Sequence, residues 1–354
     1  MNIKNLLKKR SEIMIIEVPS EPIVISSRIR LARNFNDQPF PGWANSNQLK
    51  DILASCCDTL SHVTKFKRGA IVSVNDLTQL EKQVLTERYM ISSELCEAES
   101  SGVAISNDQT CSAMINEEDH LRLQIMRKGF HFDKIWKAID KIDTDIESSI
   151  DYAFSSQLGY LTACPTNVGT GMRASVMMHL PGLVMIGQME KVIRAVNKLG
   201  IAVRGSFGEG SEAIGSVFQI SNQQTLGESE STILGKLSSV LKSIIKQEGN
   251  AREVLLQKNK NQVLDKIGRS FGILIYSQIL TSSEALNMLS LMRLATDLGF
   301  LKEGARSDID SLFIECQPGH IQFMGGDAIP ADERDEFRAQ FMREQFKLVG
   351  LLTL

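Results

Sequence analysis

Five short stretches of this chain concentrate arginine, carboxylate and glycine. The first is Ser26-Ser27-Arg28-Ile29-Arg30, with Arg33 close behind. Residues 22–30 read as a strand, and alternate residues of a strand share a face, so Arg28 and Arg30 project together. Two guanidinium groups side by side call for an anion, and phosphate is the natural one. The pair alone also fits a solvated basic strand end. The second stretch is Asn116-Glu117-Glu118-Asp119-His120-Leu121-Arg122. It follows an apolar strand, so it either sets a carboxylate at the edge of a cleft or forms an acidic turn between two strands.

The third stretch is Cys164-Pro165-Thr166-Asn167-Val168-Gly169-Thr170-Gly171-Met172-Arg173-Ala174-Ser175. Its glycines allow close backbone approach to a ligand. It is neither a Walker A loop nor a GxGxxG fingerprint, and by itself it is equally a tight turn. The fourth, Arg204-Gly205-Ser206-Phe207-Gly208-Glu209-Gly210-Ser211-Glu212, joins a glycine-rich loop to one arginine and two acids, which also describes a surface Ω-loop. The fifth lies in the last helix. Arg334 and Arg338 are four apart and share a helix face, next to Asp335 and Ala339, as in an ordinary exposed ion-pair face.

The elements that must position these residues are mixed at first and helical later. Residues 70–74, 102–106, 111–115, 201–204 and 217–220 read as short β-branched strands. Met185, Met189, Val192, Ile193 and Val196 recur at helical spacing, with Gly200 as a stop. From residue 252 onward the chain reads as mostly helical. Leu264, Ile267, Phe271 and Leu274 form one stripe. Thr281 to Ser283 offer an N-cap to a helix that is apolar over a wide arc and must be buried in a bundle or at a subunit interface. A last helix is expected over 332–346. The expected division is a catalytic domain at 1–249 and a helical dimerisation and regulatory domain at 250–354.

Composition narrows the class of partner. With 39 basic and 42 acidic residues the net charge is −3, which gives no reason to expect nucleic acid. No apolar run reaches the ~18–20 residues of a membrane span, and no signal-peptide core is present. Six cysteines without a CxxC pair fit a reducing, cytoplasmic setting. Five histidines without HxH or HxxxH spacing give little support for a transition-metal site.

In order, the first four stretches resemble the phosphagen kinases, the ATP:guanido phosphotransferases. Within them the chain is most similar to the bacterial protein-arginine kinases of the McsB type. CPTNVGTGMRASV and NEEDHLR are the most specific segments, and the match runs from about residue 23 to 220. The resemblance implies an α+β fold, an antiparallel sheet flanked by helices, followed by an all-helical C-terminal domain. It implies that Arg28, Arg30, Arg122, Arg173 and Arg204 grip the phosphates of ATP carrying Mg²⁺. Ser26, Ser27, Ile29, Tyr89, Ala174, Ser175, Val176, Met177, Gly205, Ser206, Phe207 and Gly208 would line the same site. Glu118 and Glu209 would clamp the substrate guanidinium and accept its proton, with Cys164 orienting it.

Two departures from the small-molecule kinases shift the expected substrate to arginine in proteins. The first motif begins at residue 26, leaving no room for the helical domain of roughly a hundred residues that precedes it in those enzymes. The helical tail is additional, and its Arg334, Asp335, Arg338 and Ala339 match the RDxxRA motif linked to phosphoarginine binding and activation. The resemblance further implies a homodimer through the C-terminal domain, a role in bacterial stress response and protein quality control, a zinc-binding activator and a Clp unfoldase and protease as partners. Tyr89 stands where a nucleotide-contacting histidine is expected. It is the sequence support for a rival reading, a degenerate phosphoarginine-binding adaptor. The other rival is a kinase of free arginine.

Overall fold

The computed structural model describes residues 2–11, 22–206, 213–301, 305–326, 329–347 and 349. The strands are β1 (Val24–Arg33), β2 (Ala70–Ser73), β3 (Gly102–Ile105), β4 (Cys111–Ile115), β5 (Leu121–Lys128), β6 (Phe154–Ser155), β7 (Gly159–Tyr160), β8 (Met172–His179), β9 (Ile201–Gly205) and β10 (Val217–Asn222). Eight of them form one sheet in the order β2-β3-β4-β5-β1-β8-β10-β9, while β6 and β7 make a separate hairpin. The pairs β2–β3, β3–β4, β4–β5 and β5–β1 are antiparallel. Ala32 N–H donates to Gly171 O, and His179 N–H to Ile23 O, so β8 also runs against β1.

The helices before the last strand are α1 (Ile3–Leu7), α2 (Ser46–His62), α3 (Gln79–Glu87), α4 (Ser93–Glu97), α5 (Phe132–Glu147), α6 (Pro181–Met185) and α7 (Met189–Asn197). After it come α8 (Glu230–Lys258), α9 (Lys260–Tyr276), α10 (Ser282–Asp297), α11 (Ala305–Glu315), α12 (Pro318–Gly325) and α13 (Ala331–Phe346). By packing, the chain divides into two compact units. One comprises residues 1–13, 26–176 and 221–237, the other 14–25, 177–220 and 238–354. Residue 249, where the character of the sequence changes, lies inside the unbroken helix α8.

In the first unit, capping boxes start α2 (Asn45 with Gln48) and α3 (Thr78 with Glu81). Helix α5 buries Ile135, Ile139, Ile142 and Ile146, one every three or four residues, and packs on β5. The end of β1 is fixed by a buried ion pair. Arg33 Nη2 is 2.6 Å from Asp143 Oδ2, its Nη1 donates to Ala32 O and Thr170 O, and its guanidinium lies 3.6 Å from the centre of the Tyr160 ring. The loop that leads into β8 is thereby tied to β1.

In the second unit, α10 is enclosed by its own chain, with Leu286, Leu289, Met292, Leu294 and Ala295 all buried. Most of the wide apolar arc, read as buried in a bundle or at a subunit interface, is covered within the fold, while Met288 and Leu291 are half-buried. Thr281 caps this helix as expected, accepting from Glu284 N–H. The single helix expected through Met185 and Val196 is instead two, α6 and α7. The break falls at Gly187, whose φ of +68° is left-handed. Buried Glu248 accepts from the Gly182 and Leu183 amides at 2.9 Å and so caps α6, while pairing with Arg252 at 2.7 Å.

Removing one partner of a buried pair leaves the other charge uncompensated, at about 3–5 kcal/mol. Asp143→Ala should therefore lower the unfolding free energy by that amount in denaturant titrations. An exposed pair such as Arg269 with Asp265, tested by Asp265→Ala, should change it by less than about 1 kcal/mol.

Candidate active site

The middle of the sheet carries a face of arginines. In β1 the burial alternates, so Arg28 and Arg30 stand half-buried on one face while Ser27, Ile29 and Leu31 are buried on the other. In the register with β5, Ala32 faces Arg122 and Arg30 faces Gln124, which makes Arg30 and Arg122 diagonal neighbours on the same face. On the other side of β1, Arg28 Nε contacts Ser175 Oγ of β8 at 3.4 Å, and Arg173 lies two residues earlier on that strand. Arg28, Arg30, Arg122 and Arg173 thus come from three adjacent strands.

Their electrostatics show the crowding. Burial pulls Arg28 down to about 10, Tyr89 opposing and Arg122 and Arg173 adding to the fall. Burial holds Arg30 well below the ordinary guanidinium range, with Arg28, Arg122 and Arg173 contributing and Glu117 opposing. The Nε of Arg30 is buried without a hydrogen-bond partner. A donor left unmade beside three like charges fits an anion that brings its own acceptor oxygens. Tyr89 adopts a left-handed φ of 59°, its phenol is pushed up by burial with Arg28 opposing, and its carbonyl accepts from the Gln124 amide.

The loop between β4 and β5 gives its three acids three environments. Asn116 takes a φ of 54°, and its amide donates to Leu49 O and Ser100 O. Glu117 turns inward, its side chain 2% exposed, and pairs with Arg122 at 2.6 Å while accepting from the Ser92 hydroxyl. Asp119 is buried and accepts from Asn34 Nδ2 at 2.6 Å and Ala163 N–H at 2.7 Å. Glu118 alone faces outward, its side chain 44% exposed, with Oε2 3.9 Å from Arg122 Nη2. Burial pushes the Glu118 carboxyl up, helped by Asp119 and Glu117 and opposed by Arg122 and a hydrogen bond from Cys164. The Cys164 thiol lies 3.0 Å from Thr166 Oγ1. His120 accepts from Phe35 N–H at Nδ1, so its Nε2 carries the proton and donates to Pro39 O at 3.0 Å. Burial lowers its pKa, which keeps the ring neutral.

The remaining expected positions are distributed as follows. Ser27 Oγ donates to Gly129 O and accepts from His131 N–H, and Ser26 is buried. Ala174 and Val176 are buried, and the Ala174 amide is held by Asn222. Met177 is buried too. Arg204 and Gly205 end β9 in the second unit, with Arg204 exposed, and the buried Ser206 donates its N–H to Val217 O. Phe207, Gly208 and Glu209 lie outside the described residues.

In α13, Arg338 is buried, donating to Cys316 O and Leu280 O and pairing with Asp335. Ala339 is buried, and Arg334 is half-buried. An open pocket of about 740 Å³ beside this helix is lined by Glu333, Glu336, Phe337, Gln340 and Arg343, not by those four. Sequence reasoning gave no separate role to Glu117, the acid that holds Arg122. Its signal was present only as one member of an acidic triplet.

The fold and the face of arginines define a phosphotransferase built on an antiparallel sheet. The chain belongs to the ATP:guanido phosphotransferase family, whose C-terminal catalytic domain matches residues 51–251. Residues 260–351 match the protein-arginine kinase McsB C-terminal domain. Among curated relatives, the protein-arginine kinase of Brevibacillus brevis is 43% identical over 94% of each chain. That of Bacillus subtilis is 44% identical over 93% of this chain and 92% of its own. Among solved structures, a lombricine kinase aligns with a TM-score of 0.57 at 23% identity, covering 70% of this chain and 75% of that one. A duplicated taurocyamine kinase from Schistosoma mansoni gives 0.59 at 22%, covering 73% and 39%. Both share the fold.

An anion that settles on the arginine face relieves its self-repulsion, so ATP should raise the melting temperature. At a hundredfold excess over Kd the gain is about 2.7 kcal/mol. Arg30→Ala should remove most of that shift. Without nucleotide the same variant should be as stable as the parent or more so, because one like charge has gone. Thermal unfolding with and without ATP reads both.

Proposed function

We propose that this chain transfers the terminal phosphoryl group of ATP to the guanidinium of arginine side chains in proteins. The observation that carries the reading is the position of Arg122. It belongs to the arginine face and lies 3.9 Å from the outward carboxylate of Glu118, so the phosphate-binding face and the candidate guanidinium-binding acid adjoin. The names of the relatives and the C-terminal domain match support protein arginine, rather than a free amino acid, as the substrate.

Each group has a definable task. Arg28, Arg30, Arg122 and Arg173 hold the phosphates and stabilise the charge on the transferring group, with Arg204 expected to join them. A charged guanidinium has no lone pair to offer. Glu118 orients its plane and takes up the proton as the new N–P bond forms and the P–O bond to ADP breaks. The raised pKa of Glu118 makes it a better proton acceptor than an ordinary surface carboxylate. Glu209 is proposed as the second carboxylate, and Cys164 as an orienting thiol. Among the described residues no group of three or more His, Cys, Asp or Glu side chains could hold a metal ion. Mg²⁺ entering with the phosphates of ATP would neutralise charge there.

The C-terminal match supports a wider setting in bacterial stress response and protein quality control. A zinc-binding activator, a Clp unfoldase and protease, self-association through residues 250–354 and regulation through Arg334, Asp335, Arg338 and Ala339 belong to that proposal. No helix among the described residues is long and apolar enough to cross a membrane.

Transfer of labelled phosphate from ATP to an arginine-rich protein tests the reading. Acid-labile label is expected on protein, and label on free arginine alone would overturn it. Glu118→Gln should lower kcat by about 10²-fold or more. Its fold should hold or gain stability, because ionising a carboxyl whose pKa the fold has raised costs free energy at neutral pH. The acid limb of the parent's pH–rate profile should lie above the ordinary glutamate value of about 4.3, with activity rising as Glu118 ionises.

A further inference from the structure

We propose that an apolar rim around the guanidinium end of this site, anchored by Trp43, seats apolar side chains that flank the target arginine in the protein substrate. The inference rests on the protein-kinase reading and adds the subsites that read the surrounding sequence.

The first unit leaves four large hydrophobic side chains exposed among its described residues. They are Trp43 at 88%, Phe154 at 59%, Leu226 at 54% and Leu158 at 46%. Single exposed apolar residues are ordinary when scattered. Each of these four lies on a loop tied, directly or through Asn34, to the Glu118 or the Cys164 segment. Trp43 closes a turn by donating its N–H to Phe40 O at 2.8 Å. Phe40 meets the His120 ring edge-on at 6.1 Å, Pro39 O accepts from His120, and His120 follows Glu118 by two residues. Phe154 and Leu158 lie on the β6–β7 hairpin. Ala153 N–H donates to Asn34 O at 2.7 Å and Leu161 N–H to Ala153 O at 2.8 Å, while Asn34 holds Asp119. Ala163, bonded to the same Asp119, precedes Cys164. Leu226 follows Thr225, whose hydroxyl donates to Thr166 O and Val168 O.

Trp43 sits at one end of a turn whose other end packs on the residue two places after Glu118. Trp is also the side chain that most often dominates an interface, because it offers a large rigid surface with few rotamers to lose. Burying such surface only when substrate arrives would place binding energy on residues beside the reacting arginine.

The test compares two peptides of equal charge. In one the arginine is flanked by Leu and Phe, in the other by Gly and Ser, and both are phosphorylated at saturating ATP. The parent should show the lower KM for the apolar-flanked peptide. Trp43→Ala should raise that KM about tenfold and collapse the selectivity, and Trp43→Phe should retain most of it. An unchanged melting temperature will show that Trp43→Ala folds. If the parent shows no preference, or Trp43→Ala keeps the preference, the rim is not a subsite and the kinase reading stands. If the parent labels neither peptide nor any protein, the kinase reading falls and the rim with it.

Discussion

Four guanidinium groups on three neighbouring strands repel one another, and the sheet holds them together regardless. Two unit charges 7 Å apart cost about 2 kcal/mol at an effective dielectric of 20. Strand pairing sets that separation, because the positions of Arg28, Arg30 and Arg122 are fixed by backbone hydrogen bonds and not by their own preference. Glu117 offsets part of the repulsion from beneath, and the phenol of Tyr89 adjoins Arg28. The crowding of positive charge sets up a demand for negative charge on this face. The polar groups around it are arranged either to tolerate that demand or to use it.

The use depends on one turn. With Asn116 in the left-handed region, where asparagine is among the more tolerant residues, the chain reverses so that Glu117, Glu118 and Asp119 point in different directions. One acid supports an arginine, one faces solvent, and one organises backbone. Asp119 collects Asn34 and Ala163, and so draws β1 and the Cys164 loop to the same place. His120 completes the joint as a neutral ring bonded at both nitrogens.

Much of this chemistry was legible in the sequence, because Arg28 and Arg30 share a strand face by simple alternation. The identity of the ordered motifs carried the rest of the family assignment. Less legible was where motif ends and strand begins. Arg122 and Arg173 looked like loop residues, yet each is the second residue of a strand. The period-two pattern of Leu121, Leu123 and Ile125, and of Met172, Ala174 and Val176, held that signal. Which of three consecutive acids turns outward came only from the resemblance, which singled out Glu118, because physically it follows from a backbone angle at Asn116 and from contacts with residues 49 and 100. The wide apolar arc of α10 was read correctly as buried, but its partners are in its own unit. Hydrophobicity states that a surface is covered and is silent about what covers it.

The junction between β1 and β8 restricts which sequences can occupy this fold. Gly171 has a φ of +63°, and a Cβ placed there would come within 2.6 Å of both Ala32 O and the Arg33 guanidinium. The carbonyl cannot withdraw, because Ala32 is paired on both sides of its strand. Arg33 cannot withdraw without abandoning Asp143. Drift at position 171 is therefore closed off from every single-residue path. Diversification near the site is pushed outward to the loops that carry Trp43, Phe154 and Leu226, whose side chains are exposed.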